Sequence, residues 1–252
     1  AYYYDAAITK DILIAALSNP FWGIREKAID NIDVEDEGFD LKFLKKQLLQ
    51  IAKNDAKTST RGAAIGKLSN KKFDLKAASI QPFLKDSSYL VMSSTLYALN
   101  RIDSTLALKA AVKLTNENNQ SIQHAVASIL MRSNDVAHFS FFKKYWDSAS
   151  GYNRFTSVRN YGNYLNNITD LETSLKIAAD LKESATSEKQ KWLRYYAAEA
   201  MYNKYNKLQE SATDAKQSSN KLSDQLVNDL KAIIEAESDK TIGEYYKQFK
   251  LD

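Results

Sequence analysis

Two histidines and no cysteine are what this chain offers for metal or nucleophilic chemistry. His124 and His138 lie fourteen residues apart, so they cannot form the i, i+4 pair with an intervening Glu that puts two zinc ligands on one helical face. His124 sits in an Ala-rich helical segment and His138 beside Phe139, and both read as structural. The absence of Cys removes disulfides, thiolate metal sites and thiol nucleophiles together. Gly62-Ala63-Ala64-Ile65-Gly66-Lys67 resembles a phosphate loop, but it has one residue too few between its glycines. Leu68 also stands where a Ser or Thr would ligate magnesium. Small residues at these positions permit close helix packing instead. The acidic run Asp33-Val34-Glu35-Asp36-Glu37 lacks the Gly and the distal Glu of a calcium loop and reads as a solvated turn.

The remaining chemistry is that of binding. Trp192, Tyr195, Tyr196, Glu199 and Tyr202 follow helical spacing, with Leu193, Ala197, Ala200, Met201 and Leu208 on another face of the same helix. One face must meet a partner helix, and the other reads first as core, since an aromatic stripe is most often packed; the alternative is a contact with a ligand or a further domain, because exposed aromatics with Arg nearby are typical interface anchors. Arg154 and Arg159 flank Phe155 and Val158 close to Tyr161, and Arg194 lies in the same segment as Trp192 and Tyr195. Trp22, Arg154, Arg159, Tyr161 and Arg194 are therefore the candidate peptide or interdomain contacts. No catalytic, cofactor-binding or metal-ligating residue is assigned.

The elements that must position these side chains come from a repeat. A short helix, a polar Asn/Asp turn and a second helix rich in Ala, Ile and Leu recur four times, with turns at Asn19-Pro20, Asn54-Asp55, Asp86 and Asn116. Aligned second helices are offset by 36 residues (Arg25 to Arg61), then 31 (Leu68 to Leu99) and 31 (Leu99 to Leu130). A period in this range marks a helical solenoid. Leu41, Leu44, Leu48 and Ile51, like Leu222, Leu226, Leu230 and Ile233, form apolar stripes that one helix pair cannot cover. Stacking of neighbouring pairs follows.

The pattern predicts an all-α chain: one α-α superhelix of the HEAT/armadillo kind over residues 1–252, with about seven helix pairs. The helices fall near 8–18, 20–32, 40–53, 57–68, 74–85, 88–100, 104–115, 119–132, 135–147, 151–167, 170–184, 187–209, 220–237 and 240–250. Asn19 is expected to cap the second helix with Pro20 at its first position, Pro82 to kink a helix over 74–85, and Trp22 to wedge between the first two pairs. The repeats are regular to about residue 132; beyond about 135 the helices lengthen and aromatics multiply. Ser211-Asn220 reads as a loop. The opening Ala1-Tyr2-Tyr3-Tyr4 reads as the start of a piece cut from a longer protein.

Charge is uneven. Residues 1–40 hold 3 basic and 9 acidic side chains and residues 41–82 hold 10 and 2, within a chain total of +4. Opposite charges on adjacent repeats neutralise one another, and Phe43 and Phe73 are the aromatics available in 41–82 for base stacking, so nucleic acid is not expected as a partner. No run of about 18 apolar residues is present to span a membrane.

The run Asn19-Pro20-Phe21-Trp22-Gly23-Ile24-Arg25, preceded by Leu13-Ile14-Ala15-Ala16-Leu17, resembles the first HEAT-like repeat in the C-terminal region of bacterial zinc aminopeptidases of the aminopeptidase N (membrane alanyl aminopeptidase) family. Lys85-Asp86-Ser87-Ser88-Tyr89-Leu90-Val91 and Tyr245-Tyr246-Lys247-Gln248-Phe249 are similar to the same region. The resemblance implies a parent enzyme whose zinc and catalytic domain precede Ala1. It also implies a helical region that covers the active-site cavity and restricts which peptides enter it, with the upstream domain and peptides as partners and an extracytoplasmic bacterial location. The family's zinc motif has no counterpart here, nor does its Gly-x-Met-Glu-Asn motif, since Met92, Met131 and Met201 all lack a following Glu-Asn. A stand-alone protein-binding scaffold is the alternative reading, and a HEAT-like nucleic-acid binder using residues 41–82 is a third.

With two separated histidines and no thiolate, the isolated chain is expected to hold no stoichiometric zinc and to leave aminoacyl-anilide substrates intact. Metal analysis of the purified chain, finding one tightly bound zinc per molecule, would overturn this.

Overall fold

The computed structural model describes residues 6–36, 38–211 and 218–251. Among these there are thirteen α-helices and no strand, and the helices pack as neighbouring α-α pairs. The packing divides the chain into two compact units, residues 1–126 and 127–252, with the division inside the seventh helix.

The first unit holds α1 (Ala6–Ala16), α2 (Trp22–Asn31), α3 (Leu41–Asn54), α4 (Thr58–Leu68), α5 (Tyr89–Ile102), α6 (Ser104–Lys113) and the start of α7 (Gln120–Leu130). Apolar stripes account for these helices, with Asp caps at the starts of α3 and α6. The Asp40 carboxylate accepts from the Phe43 N–H at the start of α3, and Leu44, Leu48 and Ile51 are buried on one face, each contributing about 1.5–3 kcal/mol of transfer free energy. Central in this unit is α4, which packs against α2, α3 and α5. Gly62 lets α4 approach α5, where a Cβ would stand 2.8 Å from Ser94 Oγ.

The second unit continues with α8 (Phe139–Ser148), α9 (Tyr152–Asn167), α10 (Leu171–Ser187), α11 (Lys191–Ser211), α12 (Ser218–Ala236) and α13 (Lys240–Tyr246). Its longest helix, α11, touches α9, α10, α12 and α13. Aromatic rings fill the space between α8 and α9: Phe142 stacks on Tyr164 at 4.3 Å, and Trp146 lies 4.9 Å from Tyr161. Leu222, Leu226, Leu230 and Ile233 are buried along α12.

Three local expectations give way. Residues 74–85 form no α-helix: after a 3-10 turn at Lys71–Phe73 the chain makes two more, Ala77–Ser79 and Gln81–Lys85. Asp74 adopts a left-handed backbone (φ 42°) that breaks the chain upstream. Pro82 opens the last 3-10 turn, where its missing N–H costs nothing. Asn19 does not cap α2 from the N-cap position; its Oδ1 accepts from the Phe21 N–H at 2.9 Å, and the helix begins after Phe21. Trp22 is 39% exposed rather than wedged, its ring lying under the Lys57 ammonium at 4.6 Å. In addition, α13 ends at Tyr246, short of 250, and of the expected loop, Ser211 closes α11 and Ser218–Asn220 open α12; its residues 212–217 lie outside the described residues.

What holds several successive repeats in register is an arginine near the start of α2, α4, α9 and α11. Arg25 of α2 donates through Nη1 to the carbonyls of Asn19 (2.7 Å) and Pro20 (3.0 Å) in its own turn, and through Nε and Nη2 to Asp55 in the next turn at 2.6 and 2.7 Å. Arg61 of α4 repeats the arrangement one step on, donating to the Asp55 carbonyl (3.0 Å) and to Asp86 (2.8 Å). In the second unit Arg154 bridges the Trp146 carbonyl and Glu188, both at 2.9 Å. Arg194 donates to the Glu188 carbonyl at 3.0 Å and forks onto Glu237 with two bonds of 2.9 Å. The acceptors also shape their turns: Asp55, Asp86 and Glu237 each take the N–H two residues on. Burial pushes the Asp55 carboxyl up, but the Arg25 and Lys57 hydrogen bonds win and hold it below the ordinary aspartate value.

Asp55→Ala leaves the Arg25 fork unpaired and is expected to lower stability by about 2–4 kcal/mol, whereas Trp22→Ala, losing a half-open ring and one cation contact, costs about 1 kcal/mol or less. Urea midpoints of the two variants measure this. The reverse order would show that Trp22, and not the arginine bridge, secures the first repeats.

Candidate functional site

The most open aromatic surface in the second unit lies in the valley between α9 and α11. Both helices step along it as i, i+4, i+7, i+11: Phe155, Arg159, Gly162 and Asn166 on one wall, and Trp192, Tyr196, Glu199 and Asn203 on the other. Together with Tyr152, Thr156, Asn163 and Ala200 they line a groove of about 630 Å³. Gly162 makes the floor, because a Cβ there would collide with that of Ala200, so the two backbones run close and the side chains on either side form walls.

The groove is graded along its length. One end is aromatic: Tyr152 is 84% exposed, Phe155 meets Tyr196 edge-on at 6.2 Å, and Trp192 meets Tyr245 of α13 edge-on at 5.2 Å. Midway, Arg159 is exposed and has no hydrogen-bond or ion-pair partner among the described residues. Across from it Glu199 accepts from the Tyr195 hydroxyl at 2.8 Å. Burial, reinforced by that carboxylate, pushes the Tyr195 phenol up to about 12, so it stays a donor. The far end is amide-rich, with Asn163, Asn166 and Asn203.

The structure separates the candidate residues by role. Arg159 and the aromatic pair Trp192 and Tyr196 are brought together in the groove. Arg154 and Arg194 are held in the inter-repeat bridges, and the Arg154 guanidinium also stacks 3.8 Å above the Trp146 ring. Tyr161 is buried, its hydroxyl donating to Asp180 at 2.8 Å. Trp22 lies in the other unit, with Phe21 and Ile24 exposed beside it. Asn166, Asn203 and Thr156 were not singled out from sequence. The signal for them was present, since Asn166 and Asn203 stand 37 residues apart in the same register as Phe155 and Trp192.

Other surfaces carry less. A larger depression of about 850 Å³ beside α8 and α10 contains Asp147, Asp180 and Glu188, but Lys143 bridges the first two at 2.8 and 3.0 Å and Arg154 takes the third. On α3, Lys42, Lys45, Lys46 and Lys53 line a shallow basic strip, where Lys45 already donates to the Phe73 carbonyl at 2.7 Å. Phe43 is exposed near it while Phe73 is buried. Among the described residues no group of three or more His, Cys, Asp or Glu side chains is placed to hold a metal ion, and no helix is long and apolar enough to cross a membrane.

The amide end of the groove is fastened from beneath. Lys204, buried, donates its ammonium to the Ile168 carbonyl at the C-terminal end of α9 at 2.7 Å, and Asn167 donates to the Met131 carbonyl at 3.0 Å. In the first unit Lys67 likewise donates to the Ile32 carbonyl beyond α2 at 2.7 Å. Positive charge at a helix C-terminus is favourable because the last carbonyls are unpaired. Burial nevertheless lowers the Lys204 amine to about 8.

No protein-family profile and no curated protein matches the sequence. Among solved structures, the chain is similar to two engineered proteins. One is 15% identical over 90% of this chain and 97% of its own, with a TM-score of 0.42. The other is 13% identical over 94% of this chain and 76% of its own, with a TM-score of 0.49.

Lys204 makes stability depend on pH. Between about pH 8 and its ordinary value near 10.4 the unfolded chain keeps this proton and the folded chain releases it, so folding becomes more favourable as pH rises. The stability difference between the native chain and Lys204→Met is expected to grow in favour of the native chain from pH 8 to pH 9.5; tyrosine ionisation, common to both chains, cancels in that difference. A difference that is flat across this window in urea titrations would refute the assignment.

Proposed function

We propose that this chain is a non-catalytic helical-repeat domain that takes up peptides in the α9–α11 groove. We further propose that it serves as the C-terminal domain of a zinc aminopeptidase of the aminopeptidase N kind, limiting which peptides reach the metal. The binding half rests on one observation: open aromatic rings, a guanidinium with no partner among the described residues and side-chain amides converge on one groove, in a unit where Arg154 and Arg194 are committed to holding repeats together. The aminopeptidase half is supported by the resemblance of the Pro20-Phe21-Trp22-Gly23-Ile24-Arg25 run and the segments at 85–91 and 245–249. Zinc and the hydrolytic residues then belong to the upstream domain of the parent. This chain contributes a surface that holds the part of a peptide lying beyond the residue being removed.

The chemistry of such a surface is selection by length. A one-residue chromogenic substrate does not extend to Arg159, whereas a longer peptide does. Arg159→Ala in the full-length enzyme is therefore expected to raise KM for peptides of five or more residues by about ten- to a hundredfold, the worth of a lost charge-assisted contact of about 1.5–3 kcal/mol. Aminoacyl-anilide hydrolysis should be nearly unchanged. Arg154→Ala, by contrast, should lower stability through its lost bridge. Equal losses on short and long substrates with Arg159→Ala would refute the peptide-holding role.

A further inference from the structure

We infer that the groove reads the main chain of an extended peptide, through the side-chain amides of Asn166 and Asn203 on its two walls, and takes one bulky apolar side chain at its aromatic end. This rests on the peptide-binding reading above and names what is recognised. Asn166 Oδ1 is buried and has no hydrogen-bond partner among the described residues, a state that ordinarily costs a buried acceptor free energy. Asn166 also lines the groove, and turning its amide about the soft terminal torsion exchanges the places of oxygen and nitrogen. Asn203 is exposed and likewise makes no hydrogen bond among the described residues. A primary amide both donates and accepts, which matches the N–H and C=O that a peptide unit presents. An extended strand points these groups to opposite edges, and the groove supplies one amide on each wall.

The dimensions agree. From Trp192 to Asn203 the α11 wall rises roughly 16 Å at about 1.5 Å per residue, the span of about five extended residues at about 3.3 Å each. Side chains near the amides point away from the backbone pairing and are weakly selected. The aromatic end is different: Tyr152, Phe155, Trp192 and Tyr196 surround one position with apolar surface, which favours Phe, Leu or Met there. Recognition would thus tolerate most sequences while demanding a free backbone and one anchor.

The test is fluorescence anisotropy of the 252-residue chain with three labelled pentapeptides: one carrying a terminal Phe anchor, the same peptide N-methylated at the two units opposite the anchor end, and the same peptide with Ala for Phe. N-methylation, which removes two donors without changing side chains, should weaken binding about tenfold, and Asn203→Ala about two- to tenfold. The N-methylated peptide should be insensitive to Asn203→Ala, and Trp192→Ala should erase the preference for Phe over Ala. Thermal midpoints within a few degrees of the native chain confirm that each variant folds, and Asn203→Gln, which keeps an amide, should recover part of the loss. If N-methylated and unmodified peptides bind alike, and Asn203→Ala changes nothing, main-chain reading is wrong while peptide binding stands. If no peptide binds the native chain up to about millimolar concentration, the peptide-binding reading falls with it.

Discussion

Each guanidinium that opens a second helix must satisfy two turns at once, and the stacking of repeats depends on this constraint. Arg25 and Arg61 reach back to carbonyls five or six residues before them and forward to Asp55 and Asp86 in the next turn. Arg154 and Arg194 do the same toward Glu188 and Glu237. A planar fork with several donors can hold two turns in this way, whereas an ammonium cannot match both geometries. Because these side chains are only 13–17% exposed, solvent screens the pairs weakly. Removing either partner leaves an unpaired, half-buried charge, so the bridges act on register as well as on free energy.

A second set of contacts works at the opposite helix ends. Lys67 and Lys204 place positive charge against the terminal carbonyls of the preceding second helix, and Asn167 does so with a neutral amide. Arg101 reaches Ser69, the residue that closes α4. Of the second helices, α2, α4 and α9 are therefore fastened at both ends by polar contacts, and α9 meets α11 through small residues, Gly162 with Ala200. The groove side of α9 and α11 carries none of these arginine bridges. Tyr152 and Tyr196 stand exposed there, and exposed side chains can be shaped for binding at little cost to stability.

Much of this was legible in the chain itself. Turn residues at regular spacing, few glycines and prolines, and apolar stripes at three- and four-residue steps place twelve of the fourteen expected helices close to where they lie, with the 74–85 segment and the end of 240–250 as departures. The departures are local. Asp74 takes a left-handed backbone and Pro82 starts a turn, and neither choice follows from apolar periodicity, which carries no information about backbone handedness at a single residue.

The site was legible only in part. Helical spacing put Trp192, Tyr196 and Glu199 on one face, and residue type made Arg154, Arg159 and Arg194 look alike. Sequence determined the all-helical repeat, the absence of thiol chemistry and the aromatic character of the second half, because composition and period act through local backbone geometry. Tertiary structure decided that Arg159, unlike Arg154 and Arg194, has no ion-pair partner among the described residues, that Tyr161 is core, and that Asn166 and Asn203 line one groove. Those outcomes depend on which turn stands across from each helix start and how closely Gly162 lets two helices approach. Such contacts join residues about 19 to 43 positions apart, and a one-dimensional period cannot say which of several equivalent side chains finds a partner there.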